Sequence, residues 1–341
     1  MDALGGKNYP RRWFSSLDVI IDSLLFMENK LAIVIPAYKI DFFDSTLHSL
    51  ATQTCLDFNV YVGDDCSPAD FNSIIKEYQS RISIEYHRFD ENLGGKDLVG
   101  HWKRCIELTH GEPWIWLFSD DDVIGNKCVE LFYKTVSCKA QYDIYHFDVK
   151  IINSYGKIVY KPAAYPEVID ALTLYKDTSK DIIKSFVVEN IFSRNIYDIV
   201  GGFESFPLAW GSDMATWLKM SKGKGLKTII GDYIFWRSSD KNITPSKERM
   251  MVKRKFLIQA DFYEWVNRFF NTESIRNFNK YVVFRYCVHY SNILSYEDMK
   301  DVLNYCISKK IVSLSQKFTT LSVFPLLRMG QSLRSLLINK V

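Results

Sequence analysis

Carboxylate side chains come in two short runs, each directly after an apolar segment that is typical of a buried strand. The residues of these runs are Asp64, Asp65, Asp120, Asp121 and Asp122. Several carboxylates close together repel one another unless a cation or hydrogen-bond donors offset their charge. Mg²⁺ and Mn²⁺ are natural partners, because hard divalent cations bind carboxylate oxygens and bridge to phosphates. The pattern predicts a divalent metal that assists a diphosphate leaving group as a Lewis acid.

Each run of aspartates also has an ordinary structural explanation. A pair such as Asp64-Asp65 often caps a helix or forms a turn, and for Asp64 alone we favour that explanation. Three successive aspartates at 120–122 are harder to explain in this way, since a helix cap needs only one carboxylate. A solvated run of charge is also unexpected directly after the apolar segment at 114–118. The metal prediction therefore depends mainly on the run of three.

A further carboxylate, Asp213, follows a loop rich in glycine at 201–212 and precedes a helical pattern at 214–220. In this place it could act as a general base that takes a proton from a hydroxyl group. It could equally be the N-cap of the helix. The residues alone leave both interpretations open.

The segments around these carboxylates alternate between the patterns of strands and helices. Strand-like segments lie at 30–36, 58–62, 82–87 and 114–118, and helical periodicity appears at 43–50, 68–78 and 98–108. This order predicts a parallel, doubly wound sheet, because each helix must cross over to return the chain to the next strand. Ligands bind outside the carboxyl ends of such strands. The five aspartates would therefore gather at one edge of one sheet.

The pattern becomes less regular after about residue 140. Strands are predicted at 142–152 and 229–237, a hairpin turn at Tyr155-Gly156 and a helix at 171–186. From about residue 246 the sequence has helical periodicity and no convincing strand. We therefore predict three parts: an N-terminal extension with a short amphipathic helix at 1–29, an α/β catalytic domain at 30–245, and a helical C-terminal region at 246–341.

The composition narrows the class of protein. With 341 residues, 47% of them apolar and 24% charged, the chain has ordinary globular composition, and its net charge of +3 gives no indication of nucleic acid binding. The seven cysteines contain no C-x-x-C pair, which argues against zinc and redox motifs and favours free thiols in a reducing cytoplasm. No apolar run reaches the roughly 18 residues of a membrane span.

The chain resembles the family 2 glycosyltransferases in short motifs that occur in the family's order. They are I-V-I-P-A-Y at 33–38, H-S-L-A-T-Q-T at 48–54, V-G-D-D-C-S-P-A-D at 62–70, N-L-G at 92–94, G-E-P-W-I-W-L-F-S-D-D-D at 111–122, G-G-F-E at 201–204 and S-D at 212–213. Each motif is weak alone, but together and in order they are specific. The resemblance covers residues 30–240.

The resemblance implies a GT-A fold, a Rossmann-like nucleotide-diphospho-sugar transferase with a mixed, mainly parallel sheet. It implies an inverting enzyme that moves a sugar from a nucleotide-diphosphate sugar, with a UDP-sugar preferred, to a hydroxyl of a glycan or lipid-linked acceptor. The implied cofactor is Mn²⁺ or Mg²⁺. The implied role is bacterial surface polysaccharide synthesis.

Residue roles on the donor side also follow from the resemblance. Pro36, Ala37 and Tyr38 would line the base and ribose pocket, and Asp65 would accept a hydrogen bond from a uracil-type base. Asp121 would coordinate the metal, with Asp120 nearer the ribose or the metal's waters. Asp122 is a further candidate ligand. Lys96 and Arg237 would contribute basic contacts to the donor.

On the acceptor side, the resemblance makes Asp213 the catalytic base. It would take the proton of the acceptor hydroxyl as that oxygen attacks the anomeric carbon, so that no covalent glycosyl-enzyme forms. Gly202 and Phe203, after Gly201, and Trp210 would lie at the acceptor.

Several positions depart from the family's pattern. Ser212 stands where the family often has a glutamate before the base, and Ser239 stands where a histidine is often found. The family's A-R-N stretch is missing, so Lys96, Lys103 or Arg104 is expected to supply a phosphate contact instead, although Lys103 and Arg104 could equally form a solvated helix face. These departures keep open a carbohydrate- or nucleotide-sugar-binding protein that has lost catalysis.

Two other enzyme classes are weighed against the glycosyltransferase. A nucleotidyltransferase-like Mg²⁺ enzyme would have a glycine-rich signature with basic residues near the first strand, and Pro36-Ala37-Tyr38-Lys39 is not one. A Rossmann dehydrogenase is disfavoured, because no G-x-G-x-x-G follows the first strand.

The C-terminal tail is basic. No aspartate or glutamate follows Asp301, whereas the tail has six basic residues: Lys309, Lys310, Lys317, Arg328, Arg334 and Lys340. A helical bundle packed on the catalytic domain is the simpler expectation. The charge asymmetry also suits an amphipathic helix on an anionic membrane, which would place a cytoplasmic protein at the inner face of the membrane.

Overall fold

In the computed structural model, the described residues are 31–137, 141–239 and 248–338. The predicted extension at 1–29 with its amphipathic helix, Cys138 and the predicted boundary near residue 245 lie outside them. Within the described residues, one mixed sheet contains ten strands. They are β1 (Leu31–Ala37), β2 (Asn59–Asp64), β3 (Ser83–Arg88), β4 (Trp114–Leu117), β5 (Val123–Ile124), β6 (Ile144–Ile152), β7 (Ile158–Tyr160), β8 (Val168–Ile169), β9 (Asn190–Ser193) and β10 (Leu226–Arg237).

The main path of the sheet runs β3-β2-β1-β4-β9-β6-β10-β5. Strands β3, β2, β1 and β4 are mutually parallel. β9 is antiparallel to both of its neighbours, β6 and β10 are parallel, and β5 closes the edge antiparallel to β10. The predicted parallel, doubly wound first half is therefore confirmed, and so is the mixed character of the whole sheet.

Helices cover both faces of the sheet and form the C-terminal region. They are α1 (Phe43–Ala51), α2 (Phe71–Tyr78), α3 (Leu98–Ile106), α4 (Cys128–Ser137), α5 (Ala171–Ser179), α6 (Arg194–Ile199), α7 (Ser212–Ser221), α8 (Arg249–Phe270), α9 (Glu273–His289), α10 (Tyr296–Ser308) and α11 (Leu314–Ile338). The expectation of a helical region without strands is confirmed for residues 248–338.

Strand β1 shows why the first segment is continuously apolar. Ile33 and Ile35 pack into the layer that contains α1, α2 and α4, whereas Ala32 and Val34 face the layer that contains α3 and the C-terminal helices. All four side chains are fully buried. A central parallel strand is covered on both faces, so polar residues appear only where the strand ends.

The helical region shares a hydrophobic core with the α/β part. Phe256 and Val282 of this region belong to the same buried cluster as Trp217 of α7 and Leu174 of α5. The region therefore packs as a layer of the molecule, in agreement with the simpler of the two expectations for it.

The helix predicted at 171–186 is wrong beyond Ser179. Asp181 has a φ of 67°, which a continuing helix does not allow, and the carbonyl of Ser179 accepts a hydrogen bond from Arg285 Nη1 at 3.0 Å. The chain then forms a short 3₁₀ turn, Val187–Glu189, and enters β9.

Candidate active site

The aspartate loop, residues 119–122, lies between β4 and β5 beside the carboxyl end of β1. Oδ2 of Asp120 accepts hydrogen bonds from the backbone N–H groups of Tyr38 at 2.8 Å and Lys39 at 2.7 Å. Burial, followed by the charge of Asp121, raises the pKa of Asp120 to about 6. The chain that leaves β1 is therefore fastened onto the first aspartate of the loop.

Lys39 places a positive charge among the aspartates. Its Nζ lies 2.8 Å from Oδ2 of Asp121. Burial opposes the charge of the ammonium group, but the carboxylates of Asp121, Asp120 and Asp122 outweigh it and raise the pKa of Lys39. The repulsion within the loop is therefore offset in part by a cation that the chain itself supplies.

Asp122 attaches the loop to the far half of the sheet. Its Oδ1 accepts from the backbone N–H of Arg237 at 2.6 Å and its Oδ2 accepts from the hydroxyl of Ser119 at 2.7 Å. Burial, with the charge of Asp121, raises its pKa to about 8. Arg237 returns the contact, because its Nε donates to the carbonyl of Asp121 at 2.7 Å. The aspartate loop is therefore hydrogen-bonded both to the chain that leaves β1 and to the end of β10.

A divalent cation fits Asp121 and Asp120 if a diphosphate is bound with it. Within the described ranges, no three His, Cys, Asp or Glu side chains converge into a set that could hold a metal ion. Mg²⁺ is commonly held by one or two carboxylates, with water and phosphate completing its shell. Asp121 faces a cation already, and Asp120 leaves Oδ1 without a partner among the described residues. Both oxygens of Asp122 accept hydrogen bonds, and so do both oxygens of Asp121, from Ser119 Oγ and Lys39 Nζ; a metal at Asp121 would have to displace these donors, of which only Lys39 is a flexible side chain.

Asp65 organises the loop at 90–97. Its oxygens accept the backbone N–H groups of Leu93 and Gly94, both at 2.8 Å, and it is paired with the guanidinium of Arg104. A Cβ at Gly94 would come within 2.7 Å of Oδ2, so this contact requires a glycine. His101 lies 3.4 Å from Asp65, and burial lowers the pKa of this imidazole to about 4.

Asp64 has the structural role that its sequence favours. Its fully buried carboxylate accepts from the backbone N–H of Ser67 at 2.7 Å, from the hydroxyl of Tyr86 at 2.6 Å and from Nη1 of Arg88 at 2.7 Å. The bond to Ser67, three residues on, is that of a turn former. Of the two neighbouring aspartates, only Asp65 contacts the 90–97 loop.

The other residues predicted to contact the donor differ in their exposure to solvent. Ala37 is buried, Pro36 is half-buried, and Tyr38 is 45% exposed at the strand end, where its ring is accessible. Lys96 is exposed in the 90–97 loop. Arg237 is buried, and its guanidinium donates to carbonyl groups of the protein, so it holds the aspartate loop in place. The direct donor contact predicted for Arg237 stays a prediction.

Asp213 lies in the first turn of α7 and is not the N-cap. The cap position belongs to Gly211, whose φ of 89° is left-handed and favours glycine. The residue is half-buried, and no cation pairs with its carboxylate within the part of the chain that the structure describes. Burial, and then the charge of Glu189, raises the pKa of Asp213 to about 6. A carboxylate with this pKa is a suitable general base near neutral pH.

The loop at 201–211 carries the residues predicted at the acceptor. Gly202 is buried, and Phe203 lies in the core with its ring centroid 5.4 Å from Trp102 and 5.6 Å from Trp217. The ring of Phe203 is therefore a packing element, and any acceptor contact in this loop must come from its other residues.

The C-terminal helical region packs against the loop at 201–211. Nε1 of Trp210 donates to Oε1 of Gln259 on α8 at 2.8 Å. A Cβ at Gly211 would lie 3.1 Å from the ring of Phe262, which also packs on Phe206. The half-buried Trp210 thus links the predicted acceptor side to the C-terminal helices.

Two positions of this site were not identified from the sequence. Lys39 directly follows the I-V-I-P-A-Y motif, and its basic type beside a predicted diphosphate was an available signal. Glu189 had none, because its burial depends on the pairing of β9 with β6. Arg104, considered as a phosphate contact, is instead bound to Asp65.

Part of the chain matches the model of a known family. Residues 32–187 match the family model described as Glycosyl transferase family 2. Two curated relatives, the poly(ribitol-phosphate) beta-N-acetylglucosaminyltransferases TarS of Staphylococcus aureus strains Mu50 and MW2, are 28% identical over 131 residues, or 37% of this chain. The chain spans about a fifth of the length of these relatives, 21%.

Solved structures show the same fold over a larger part of the chain. S. aureus TarS 1-349 in complex with UDP-GlcNAc has a TM-score of 0.55 at 14% identity, covering 86% of this chain and 91% of that one. The complex of TarS 1-349 with UDP has a TM-score of 0.54 at 16% identity over the same shares. At these identities the likeness concerns the fold, and the predicted GT-A fold is confirmed. The family-model match covers residues 32–187, a little under half of the chain, and this part of the chain is similar to the family 2 glycosyltransferases.

Proposed function

We propose that this protein transfers a sugar from a UDP-sugar to a hydroxyl of a glycan or lipid-linked acceptor, with inversion, in bacterial surface polysaccharide synthesis. The observation that carries the proposal is the aspartate loop, which is fastened to the end of β1 through Tyr38 and Lys39 in a family 2 fold. The similar TarS structures hold UDP-GlcNAc and UDP, which makes UDP-GlcNAc the first donor to test.

In this proposal Asp213 is the base. Its carboxylate takes the proton of the acceptor hydroxyl while that oxygen forms a bond to the anomeric carbon. The bond between the anomeric carbon and the diphosphate oxygen breaks on the opposite side, so the anomeric configuration is inverted in one displacement. The proton remains on Asp213 until the product leaves. The raised pKa of about 6 keeps the base ionised at neutral pH and still able to accept a proton.

The donor side would orient the diphosphate against this base. Asp121 with Asp120 would hold Mn²⁺ or Mg²⁺, which when bound supplies charge neutralisation for the departing diphosphate. The ring of Tyr38 is accessible for the nucleotide. Lys39 adds a positive charge of the chain's own at this point. Lys96, exposed in the 90–97 loop, is a further basic group that the sequence predicts for the phosphates.

Release of UDP from a panel of nucleotide sugars tests the proposal. The full chain is incubated with UDP-GlcNAc, UDP-GalNAc, UDP-glucose, UDP-galactose and GDP-mannose, each with Mn²⁺, with Mg²⁺ and with EDTA. We expect slow hydrolysis of one UDP-sugar with metal and none with EDTA. If no nucleotide sugar is bound or turned over, the proposal fails. Binding of a donor without any release of UDP would favour the alternative of a binding protein.

We also propose contact with the inner face of the membrane through the C-terminal helix α11. Among the described residues, none of the helices combines the length and apolar character that crossing a bilayer requires. The surface of α11 nevertheless exposes large apolar side chains: Leu314, Phe318, Leu326 and Met329. With basic residues on the same helix, this surface suits the interface of an anionic membrane. The six described cysteines are free thiols, which fits the cytoplasmic side.

Co-sedimentation with vesicles tests the membrane contact. We expect the full chain to bind phosphatidylserine-containing vesicles in a salt-sensitive way, and Phe318→Glu combined with Leu326→Glu to weaken that binding. Absence of binding by the intact chain would contradict it.

A further inference from the structure

Two lysines lie over one tyrosine ring in the far half of the sheet. Nζ of Lys150, on β6, is 3.6 Å from the ring centroid of Tyr233 on β10, and Nζ of Lys161, directly after β7, is 5.3 Å from the same centroid. Lys161 is exposed, and the other two residues are half-buried. The face of an aromatic ring attracts cations, so the ring holds both ammonium groups in place. Lys150, Lys161 and Tyr233 are called the lysine cluster below.

The lysine cluster has no counter-charge of its own. Within the described residues, neither Lys150 nor Lys161 has a carboxylate at ion-pair distance. The carboxylates that are close to the cluster in sequence have other partners: Asp148 accepts the backbone N–H of Tyr165 at 3.0 Å, Glu167 pairs with Lys227 at 2.6 Å, and Asp232 accepts the backbone N–H groups of Lys127 and Tyr233, both at 2.8 Å. Two like charges near one another repel, and a bound anion would offset that repulsion.

The lysine cluster lies on the face of the sheet that carries the acceptor side. Side chains alternate along a strand, so Lys150 points to the same face as Ile144, which is at an even spacing before it on β6. Ile144 packs in the same hydrophobic cluster as Ala215 and Trp217 of α7, the helix that carries Asp213. The lysine cluster and the proposed base are therefore on one face of the sheet.

The hairpin of β6 and β7 connects the lysine cluster to the aspartate loop. The carbonyl of Asn153, directly after β6, accepts from Nη1 of Arg237 at 3.2 Å, and Nε of the same guanidinium donates to the carbonyl of Asp121 at 2.7 Å. Lys150 lies three residues before Asn153, which corresponds to about 10 Å in a strand. A ligand that extends from the aspartate loop to the lysine cluster is therefore longer than a single sugar unit.

The rest of the hairpin is open to a long ligand. Residues 154–161 are all exposed, and Tyr155 and Tyr160 are 94% and 52% exposed. Tyrosine has an apolar ring and a polar hydroxyl, so accessible tyrosines suit ligands that combine carbon faces with hydroxyl groups. Sugar and polyol units have this character. The hairpin thus adds accessible rings to the positive charge of the lysine cluster.

We propose that the lysine cluster binds a negatively charged group, a phosphate or a carboxylate, of a polymeric acceptor whose reacting hydroxyl reaches Asp213. The inference rests on the proposed function, since it assigns the charge of the acceptor in that reaction. Each ammonium group has three N–H donors, and the ring of Tyr233 orients both groups before the ligand arrives. A neutral acceptor would gain nothing from these two lysines.

The first experiment measures polymer binding without donor or metal. The full chain is titrated calorimetrically with poly(glycerol phosphate), with polygalacturonate and with neutral dextran. We expect wild type to bind at least one of the two anionic polymers and not dextran, and the anionic polymer that binds identifies phosphate or carboxylate as the recognised group. In the double variant Lys150→Gln with Lys161→Gln, Kd should rise about tenfold.

Further variants separate the lysine cluster from general charge and from misfolding. Lys76→Gln with Lys127→Gln removes two exposed lysines on the side of the sheet that carries α2 and α4, and Kd should stay within about twofold of wild type. Lys161→Gln alone, at an exposed position, should raise Kd about threefold even if the double variant does not fold. Failure of wild type to bind either anionic polymer, equal binding of dextran, or an equal loss in the control pair would overturn the proposal.

The second experiment measures sugar transfer to the polymer that binds. In the Lys150→Gln, Lys161→Gln variant we expect KM for the polymer to rise by the same factor as Kd, whereas a structural defect would lower kcat instead and would overturn the proposal. The two claims fail separately. Loss of polymer binding in the variant, with no donor turned over by wild type, leaves the anion site and removes the proposed function. Normal turnover with the same polymer Kd in wild type and variant removes the anion site alone.

Discussion

The donor and acceptor sides of the site differ in the partners of their carboxylates. On the donor side, Asp65 and Asp122 have both oxygens occupied by hydrogen-bond donors, and Asp121 is paired with Lys39. On the acceptor side, Asp213 has no ion pair with a lysine or arginine among the described residues. The donor-side aspartates are buried and Asp213 is half-buried, so the more enclosed carboxylates are the ones that have the partners.

The difference fits the chemistry proposed for each side. Carboxylates that bind a donor must be held in fixed positions, and hydrogen bonds from β1, the 90–97 loop and β10 do so before any ligand arrives. A base must keep its affinity for a proton, and a strong cation beside Asp213 would lower it. In the proposed mechanism, the carboxylate without a lysine or arginine partner takes the proton, and the carboxylates held by hydrogen bonds and by Lys39 bind the donor.

The largest effect is expected from Asp213→Asn, which removes the base and leaves the donor side intact. UDP release should fall by about 10³-fold while the donor Kd stays within about twofold of wild type. Stopped-time assays of UDP with parallel calorimetric titration of the donor would check this. Asp198→Asn, at an exposed aspartate on α6, is the control. Loss of donor binding in Asp213→Asn would break the distinction between the two sides.

Asp121→Asn should have the converse effect. It removes a candidate metal ligand and the partner of Lys39, so metal-dependent donor affinity should fall by about 100-fold. The pH midpoint of Asp213, followed through its carboxyl resonance in the full chain with ¹³C-labelled aspartate, should stay at its wild-type value. A shifted midpoint would show that the two sides are electrostatically coupled, contrary to the comparison.

Arg104→Gln should weaken the donor side by a smaller amount. Asp65 would lose its guanidinium partner but keep the backbone N–H groups of Leu93 and Gly94. We expect donor Kd to rise about tenfold, the cost of one charge-assisted hydrogen bond, with little change in kcat. Lys103→Gln on the same helix is the matched control. Equal effects of the two substitutions would mean that general charge, and not the contact with Asp65, determines binding.

The smallest effect is expected from Trp210→Phe. It removes the hydrogen bond to Gln259 that links the acceptor loop to α8 and keeps an aromatic ring at the position. The free energy of unfolding should fall by about 1 kcal/mol, and UDP release by a few-fold, without a change in donor Kd. Urea denaturation together with the donor titration measures both. A change in donor Kd would show that the helical region affects the donor side, contrary to the comparison.

The donor side could largely be predicted from the sequence, because its carboxylates directly follow continuously apolar strands. The local pattern around Asp65 and Asp121 contains the strand, its end and the side chain together. What could not be predicted is which partner each aspartate takes. Lys39 meets Asp121 across 82 positions of the chain, and such a contact is set by the order of strands in the sheet.

The acceptor side was harder to predict from the sequence, because its contacts also depend on the order of strands in the sheet. Asp213 could be identified as a candidate residue, but the sequence did not distinguish a general base from a helix N-cap. The structure distinguishes them, because Gly211 occupies the N-cap position. The strand β9 was not predicted, because four residues with a polar start have no clear periodicity. Without β9 there is no reason to place Glu189, which directly precedes it, in the interior of the protein.

The most direct test of the central claim is a donor titration and a UDP-release assay on the same preparations of Asp121→Asn and Asp213→Asn, using the UDP-sugar that the wild type turns over, with Mn²⁺. We expect Asp121→Asn to lose donor affinity and Asp213→Asn to keep it while losing release of UDP. If both variants lose donor affinity, or if Asp213→Asn releases UDP at the wild-type rate, the division of the site into a binding side and a proton-transfer side is contradicted.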